Sequence, residues 1–242
     1  YSYSFSVFPV IISVYFLSVV ENWLENIRNK RAVHFLKPFV SFVLVAVASV
    51  AVFGPLGLLV GEGLVRGIQL LDASLPWLSP TLVGALTPIF VLTGTHYFLV
   101  PIGINNIVGI GYDSFVGPGI LASNMAQTGA VLSLALLTKN ERQKYISSAF
   151  TSFFGISEPT VYNIYPRREI LPIILFSGGI SGLFMGLSGV YRYATAVPGI
   201  LALPGYISRD DPQNFTNLIL AIVIAFFTSF VGTLFISKEN EV

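Results

Sequence analysis

The sequence has no cysteine among its 242 residues, only two histidines, and charged side chains at 10% of positions. The absence of cysteine excludes disulfides and thiolate metal sites. Two histidines, His34 and His96, are too few for a metal centre without carboxylate help, and no carboxylate stands at a ligand spacing from them. A soluble domain carries roughly 25% charge, so a chain this poor in it is unsuited to a water-facing surface. The net charge is +1, which leaves no basic face for nucleic acid. Nothing in the sequence calls for a cofactor. No positively charged segment precedes the first apolar run, so that run is not a signal peptide. The chain starts at Tyr1, inside the run, and reads as the later part of a longer protein.

Apolar residues make up 54% of the chain, with 20 Phe and 11 Tyr, and the mean hydropathy is +0.77. Aromatic bulk of this kind suits lipid contact and interfacial belts. The expectation is an all-α polytopic membrane protein. At about 20 apolar residues per crossing, it has about six spanning helices, together with re-entrant hairpins and amphipathic interfacial helices. Residues 5–20, 39–60, 81–100, 119–138, 171–190 and 215–237 read as the apolar segments. Residues 21–38 place Trp23, Leu24, Ile27 and Val33 on one helical face, with Glu25, Arg28 and Arg31 opposite, an interfacial pattern. Residues 61–78 repeat it with Glu62, Arg66 and Asp72. The small residues Gly178, Gly179, Gly182 and Gly186 suit close helix packing. Phe226 and Phe227 read as lipid-facing. Two parts are expected: 1–80 as scaffold and interface helices, and 81–242 as a transport domain with hairpins.

Charge placement bears on topology. Arg28, Lys30 and Arg31 mark one cytoplasmic segment, and Lys139, Arg142 and Lys144 a second. Strict alternation through the intervening segments puts the second group outside. A re-entrant or broken element in 81–118, where Pro and Gly cluster, resolves the conflict. Residues 146–166 and 191–208 are broken by Gly155, Pro159, Pro198, Gly199, Pro204 and Gly205, and read as two further hairpins. Broken helices of this type mark binding sites in transporters.

Glu158 is the residue that points most directly to function. It sits in Phe153-Phe154-Gly155-Ile156-Ser157-Glu158-Pro159-Thr160, an acid within an apolar, Gly- and Pro-broken stretch. A membrane-depth charge is costly and marks a functional site. Irregular backbone at that depth must face protein or a water-filled cavity. The alternative is a solvated acid in a loop at the membrane surface.

Thr93-Gly94-Thr95-His96-Tyr97-Phe98-Leu99-Val100-Pro101-Ile102-Gly103-Ile104-Asn105-Asn106 resembles the "GLHWGLVPIxINN" stretch of the phosphotransferase-system EIIC proteins of the glucose superfamily, β-glucoside, sucrose and trehalose type. Gly155-Ile156-Ser157-Glu158-Pro159 is similar to "GI(T/S)EP", Ala122 to Gln127 to "xSNIAQ", and Leu137-Thr138-Lys139-Asn140 to "LKTKN". Phe8 to Glu21 resembles "VIPxILAVxxLSxVE". The matches run from about Ser6 to Ile207, nearly the whole chain. Thr95-His96-Tyr97 departs from the usual Leu-His-Trp, Thr160 stands where Ala is common, and 163–168 replaces a "GVNLKxK"-like run.

The resemblance implies the membrane sugar-translocating component of a phosphoenolpyruvate (PEP)-dependent phosphotransferase system. Such a component is a homodimer in the bacterial inner (plasma) membrane. It binds a disaccharide or glucoside and presents it to a phosphorylated IIB domain, and it performs no covalent step alone. In that superfamily the phosphocysteine belongs to IIB, in keeping with a chain that has none. The resemblance carries sugar contact to His96 and Glu158, and to the paired position Asn105 and Asn106; it names no catalytic residue here. The serine of the Gly155–Pro159 motif leans towards an α-linked disaccharide of the sucrose or trehalose type. Carboxylate, imidazole and amide groups suit hydroxyls, which both donate and accept.

The residues also admit plainer readings. His96 would serve equally as a packed histidine bonded to a helix carbonyl, and Asn105-Asn106 as a helix cap. Asp113 reads as a turn or cap residue, Gln127 as a bond across helices, and Arg192 as a hairpin charge at the interface. Lys139 to Lys144 is a topology signal or a contact for IIB. The rival function is an ion-coupled secondary sugar transporter with Glu158 as its proton site.

Overall fold

The computed structural model describes residues 7–25, 30–56, 59, 70 and 74–239. They are overwhelmingly helical. The β-type pairing among them is one isolated antiparallel bridge between Asp113 and Arg192. The chain divides into two compact units, Tyr1–Gly67 and Ile68–Val242.

In the first unit, α1 (Val7–Glu25) packs on α2 (Lys30–Ala48), which runs on into a π-helical turn, Ser49–Phe53. Pro9 lies in the first turn of α1, where a missing N–H breaks no intrahelical bond. The hydroxyls of Ser13 and Ser49 hydrogen-bond at 2.7 Å, and the rings of Phe16 and Phe53 meet edge to face at 5.3 Å. Residues 21–38, expected as one interfacial helix, divide between two elements. The apolar run of α1 carries its helix on to Glu25, and α2 starts at Lys30; Lys37 Nζ then donates to Glu25 Oε1 at 2.6 Å. The side chain of His34 and nearly all of 61–73 lie outside the described residues.

The second unit contains α3 (Leu78–Leu92), a 3-10 turn (Thr95–Phe98), α4 (Leu99–Ile110), α5 (Val116–Leu137), α6 (Arg142–Phe153), α7 (Glu158–Ile164) and α8 (Leu171–Leu187). A second 3-10 segment (Ile200–Tyr206) and α9 (Pro212–Glu239) complete it. The centre is α5, which packs against α3, α6, α8 and α9. From Val116 to Leu137 it holds no charged residue, and almost every side chain in it is buried. Its small residues let neighbours approach at backbone distance: a Cβ on Gly129 would lie 3.1 Å from the Phe226 carbonyl carbon of α9. The α3–α8 pair is equally close, with Gly84 and Gly178 face to face. Packing through small residues is how helices associate without a hydrophobic driving force.

Three described stretches are long and apolar enough to cross a membrane: Lys37–Leu56, Val116–Leu137 and Pro212–Ser237. Leu78–Leu92 and Leu171–Leu187 are shorter apolar helices. The molecule is an all-α membrane protein. The apolar segment expected over 81–100 stops at Leu92. Gly94 takes φ +70°, a 3-10 turn follows, and a new helix begins at Leu99. The break anticipated in 81–118 is therefore this one, with a second turn at 111–115.

A buried clasp holds that second turn. The Asp113 carboxylate accepts from the backbone N–H of Val116 at 3.1 Å and of Gly117 at 2.7 Å, capping α5. Its Oδ2 also accepts from Arg192 Nη2 at 2.8 Å. The two backbones pair as well, Asp113 N–H to Arg192 O at 2.8 Å and Arg192 N–H to Asp113 O at 2.9 Å. Asp113 is thus the cap residue expected. Arg192 is not an interfacial charge: it is 4% exposed and ion-paired within the protein. Asn214, which no sequence pattern singles out, fixes the same region to α9. It accepts from Tyr191 N–H and donates to the carbonyls of Tyr191 and Tyr206.

Candidate functional site

Glu158 opens α7, after a turn that the sequence builds with glycine. Gly155 takes φ +97°, a conformation open to glycine and strained for other residues. The Gly155 and Ile156 N–H groups donate back to Ser152 O and Thr151 O at 3.0 and 2.9 Å, ending α6. Pro159 stands in the first turn of α7, where its fixed φ suits helix initiation. An acid in that first turn also meets the positive end of the helix dipole. Two bonds tie α7 to α6: Thr160 Oγ1 donates to Ser148 O at 2.7 Å, and Asn163 Nδ2 to Ser148 Oγ at 2.6 Å.

His96 comes from the other break, in the 3-10 turn after α3. Thr93 finishes α3 by donating its hydroxyl to Ile89 O at 3.0 Å, and Gly94 redirects the chain. His96 Nε2 and Glu158 Oε1 are then 3.4 Å apart. Both side chains are partly exposed, at 17% and 36%. The Nδ1 of His96 is buried and has no hydrogen-bond partner. The ring of Tyr97 lies against the imidazole, with centroids 4.1 Å apart. Two groups 62 positions apart thus meet at two helix breaks, with polar capacity left on both.

The broken segments 146–166 and 191–208 also meet. A Cβ on Gly155 would sit 2.8 Å from Val197 Cγ1 and 2.9 Å from Gly199 N. Pro198 O accepts from Asn124 Nδ2 of α5 at 2.7 Å. Along α7 runs a cavity of about 280 Å³. Leu92 and Val161 line it, one before the α3 cap and the other one turn beyond Glu158; its polar groups are Gln127, Tyr165 and Arg168. His96 and Glu158 are not among its lining residues.

The asparagines are placed apart from the His96–Glu158 pair. Asn106 is buried and donates to Asp113 Oδ1 at 3.3 Å, so it belongs to the clasp. Asn105, on the adjacent position of α4, is exposed. Gln127, expected to bond across helices, bonds within α5 to Ser123 Oγ and Asn124 Oδ1. Among the described residues no cluster of three or more His, Asp or Glu stands close enough to hold a metal ion.

The arrangement is a carboxylate and an imidazole, held on broken backbone within a helical membrane protein, beside a cavity with amide, phenol and guanidinium groups. The family model of the phosphotransferase system, EIIC, matches residues 1–177. The chain belongs to that family. The EIIC chain is 29% identical over 243 residues to the arbutin-, cellobiose- and salicin-specific EIIBC component of Escherichia coli K12, covering 98% of this chain and 50% of that protein. It is 31% identical over 243 residues to the sucrose-specific EIIBC component of Salmonella typhimurium, covering 99% and 52%. It is 29% identical over 242 residues to the trehalose-specific EIIBC component of E. coli K12, covering 98% and 50%. The chain spans about half the length of the curated relatives it matches. No solved structure matches it.

Proposed function

We propose that this EIIC chain is the sugar-translocating part of a PEP-dependent phosphotransferase permease, and that Glu158 and His96 bind the sugar. The observation that carries this reading is the 3.4 Å approach of His96 Nε2 to Glu158 Oε1 across two helix breaks. A carboxylate accepts from sugar hydroxyls through charge-assisted bonds, the stronger kind, and an imidazole supplies both a donor and an acceptor. Asn105 and Asn106 are weaker candidates: the first is exposed, and the second is engaged with Asp113. The substrate is a disaccharide or glucoside, in line with the β-glucoside, sucrose and trehalose named for relatives.

The phosphoryl group comes from a phosphorylated IIB domain. The relatives' designations, EIIBC and EIIBCA, place such components on one chain with EIIC. This part positions the sugar hydroxyl for in-line attack, the main demand of phosphoryl transfer. The protein works in the bacterial inner membrane as a homodimer, with residues from about 81 onward forming the transport part.

The test is sugar binding by the purified full-length protein, with and without Glu158→Gln. Loss of a charged hydrogen bond, about 1.5–3 kcal/mol, weakens affinity at least about tenfold while folding is kept. Unchanged affinity in the folded variant overturns the site. Uptake separates the ion-coupled alternative: collapse with an uncoupler while PEP-dependent phosphorylation is intact would favour Glu158 as a proton site.

A further inference from the structure

The helix that opens with Glu158 is seven residues long. An isolated helix shorter than about 12–15 residues is marginal in water, because its first turn fixes several residues for one hydrogen bond. The orientation of α7, and of Glu158 at its start, is therefore set by what α7 touches. Two of its side chains reach the same residue of α6. Thr160 Oγ1 donates to Ser148 O at 2.7 Å, and Asn163 Nδ2 is 2.6 Å from Ser148 Oγ. The serine hydroxyl has one proton, and it goes to Lys144 O at 3.0 Å. Its oxygen therefore accepts, and the asparagine group facing it is the nitrogen.

Thr160 and Asn163 stand three apart and so share one face of α7. Bonds from both to one residue fix the rotation of α7 about its axis as well as its height along α6. Thr160 and Ser148 are both buried. The helix α6 is fastened in turn to the buried α5. The hydroxyls of Thr128 and Ser152 hydrogen-bond at 2.9 Å, with Ser152 one turn beyond Ser148. Glu158 stands two residues before Thr160, so a rotation or slide of α7 carries the carboxylate with it. Its 3.4 Å approach to His96, which belongs to another element, would then be lost. The residues usual in the EIIC pattern make neither bond: alanine is common at 160, and the "GVNLKxK"-like run that 163–168 replaces begins with glycine.

We propose that Thr160, Asn163 and Ser148 are positioning residues for sugar binding: they lock α7 on α6 with Glu158 facing His96, and thereby set the affinity of the site. The assignment rests on the sugar-binding reading above and adds to it the device that fixes the geometry of the pair. The three residues act through Glu158 and need no contact with the sugar. A saccharide hydroxyl shared by the carboxylate and the imidazole must meet both at hydrogen-bond distance and angle. Such bonds weaken steeply on misalignment, so a small displacement of α7 costs affinity even while the hairpin stays folded.

The experiment measures binding of sucrose, trehalose and cellobiose to the full-length protein by calorimetry, with thermal unfolding of each preparation. Thr160→Val keeps the side-chain shape and removes the donor, whereas Thr160→Ser keeps the donor. Thr160→Val and Asn163→Ala are each expected to weaken the best sugar about threefold to tenfold, the scale of one hydrogen bond, and Thr160→Ser to stay within about twofold. Ser181→Ala is the control. Its hydroxyl donates to Ala221 O at 2.7 Å, a buried bond between α8 and α9, and its loss should lower the melting temperature without moving affinity. On the Glu158→Gln background Thr160→Val should add less than about twofold, because the group it positions is gone. Thr160→Val and Asn163→Ala variants that behave like Ser181→Ala, less stable with affinity unchanged, overturn the proposal. Equal losses from Thr160→Val and Thr160→Ser overturn it too, as does a full further loss on the Glu158→Gln background. Failure of both Thr160→Val and Asn163→Ala to fold makes the bonds a requirement of the fold and also overturns it. Glu158→Gln alone keeps the two readings apart. If it weakens binding while the folded Thr160 and Asn163 variants bind normally, only the positioning role falls. If the unmodified protein binds none of the three sugars, the sugar-binding reading falls first.

Discussion

Gly155 decides where Glu158 stands. Its φ of +97° is strained for any side chain. A Cβ there would also meet Val197 Cγ1 at 2.8 Å and Gly199 N at 2.9 Å. Gly155→Ala should therefore cost more than the roughly 1 kcal/mol typical of a left-handed position, because the facing backbone must shift as well. The expected result is a lower melting temperature together with at least a severalfold loss of sugar affinity. Thermal unfolding and calorimetry on one preparation check both. A variant that loses stability and keeps full affinity would mean that the turn does not position the acid. The importance of Glu158 was legible from its type and surroundings. Its proximity to His96 was not, since nothing in the sequence fixes how two breaks 62 positions apart will face each other.

At the scale of elements, the clasp of Asp113 and Arg192 organises the turn before α5 and the irregular segment before α9. Arg192 Nη2 and Asp113 Oδ2 are 2.8 Å apart, with side chains 5% and 0% exposed. Gly103 and Gly117 flank the guanidinium; a Cβ on Gly103 would lie 2.9 Å from Arg192 Nη2. Removing one partner of a buried pair costs about 3–5 kcal/mol, because the other charge is left uncompensated. Arg192→Met should be strongly destabilising, and Asp113→Asn likewise. The double variant should lose clearly less than the sum, and thermal unfolding of all four proteins completes the cycle. Additive losses would show that the two groups act separately. Sequence reading recovered the cap role of Asp113 from the Gly-Tyr-Asp turn preceding an apolar run. It misplaced Arg192, because an arginine in a Pro- and Gly-broken stretch looks solvated until its partner, 79 positions away, is known.

For the whole molecule, the two broken segments converge at Gly155 and Gly199, and backbone groups freed there must face protein or water. These 242 residues contain no cysteine, so a single cysteine introduced among them is the one thiol of this stretch. Cysteines at 155–160 should react with membrane-impermeant thiol reagents, and a bound sugar should slow the reaction. Unreactive positions throughout, with or without sugar, would place the segment against lipid and remove the basis for a binding site there.

The sequence by itself determined the class of molecule and the family. Apolar runs of about 20 residues and scarcity of charge point to a helical membrane protein, since lipid satisfies no backbone polar group and a spanning strand needs only about half that length. The motifs around His96 and Glu158 added the family resemblance and the two residues to watch. Glycine and proline showed where helices break, because those residues act through local backbone geometry. Only the tertiary structure decided what meets what. It set His96 against Glu158, placed Asn106 with Asp113 and left Asn105 exposed. It buried Arg192, recruited Asn214 and brought Thr160 and Asn163 to Ser148. The reason is physical: local sequence sets where a chain turns, whereas the partner of a polar group is set by close packing of distant helices, on which hydropathy and spacing are silent.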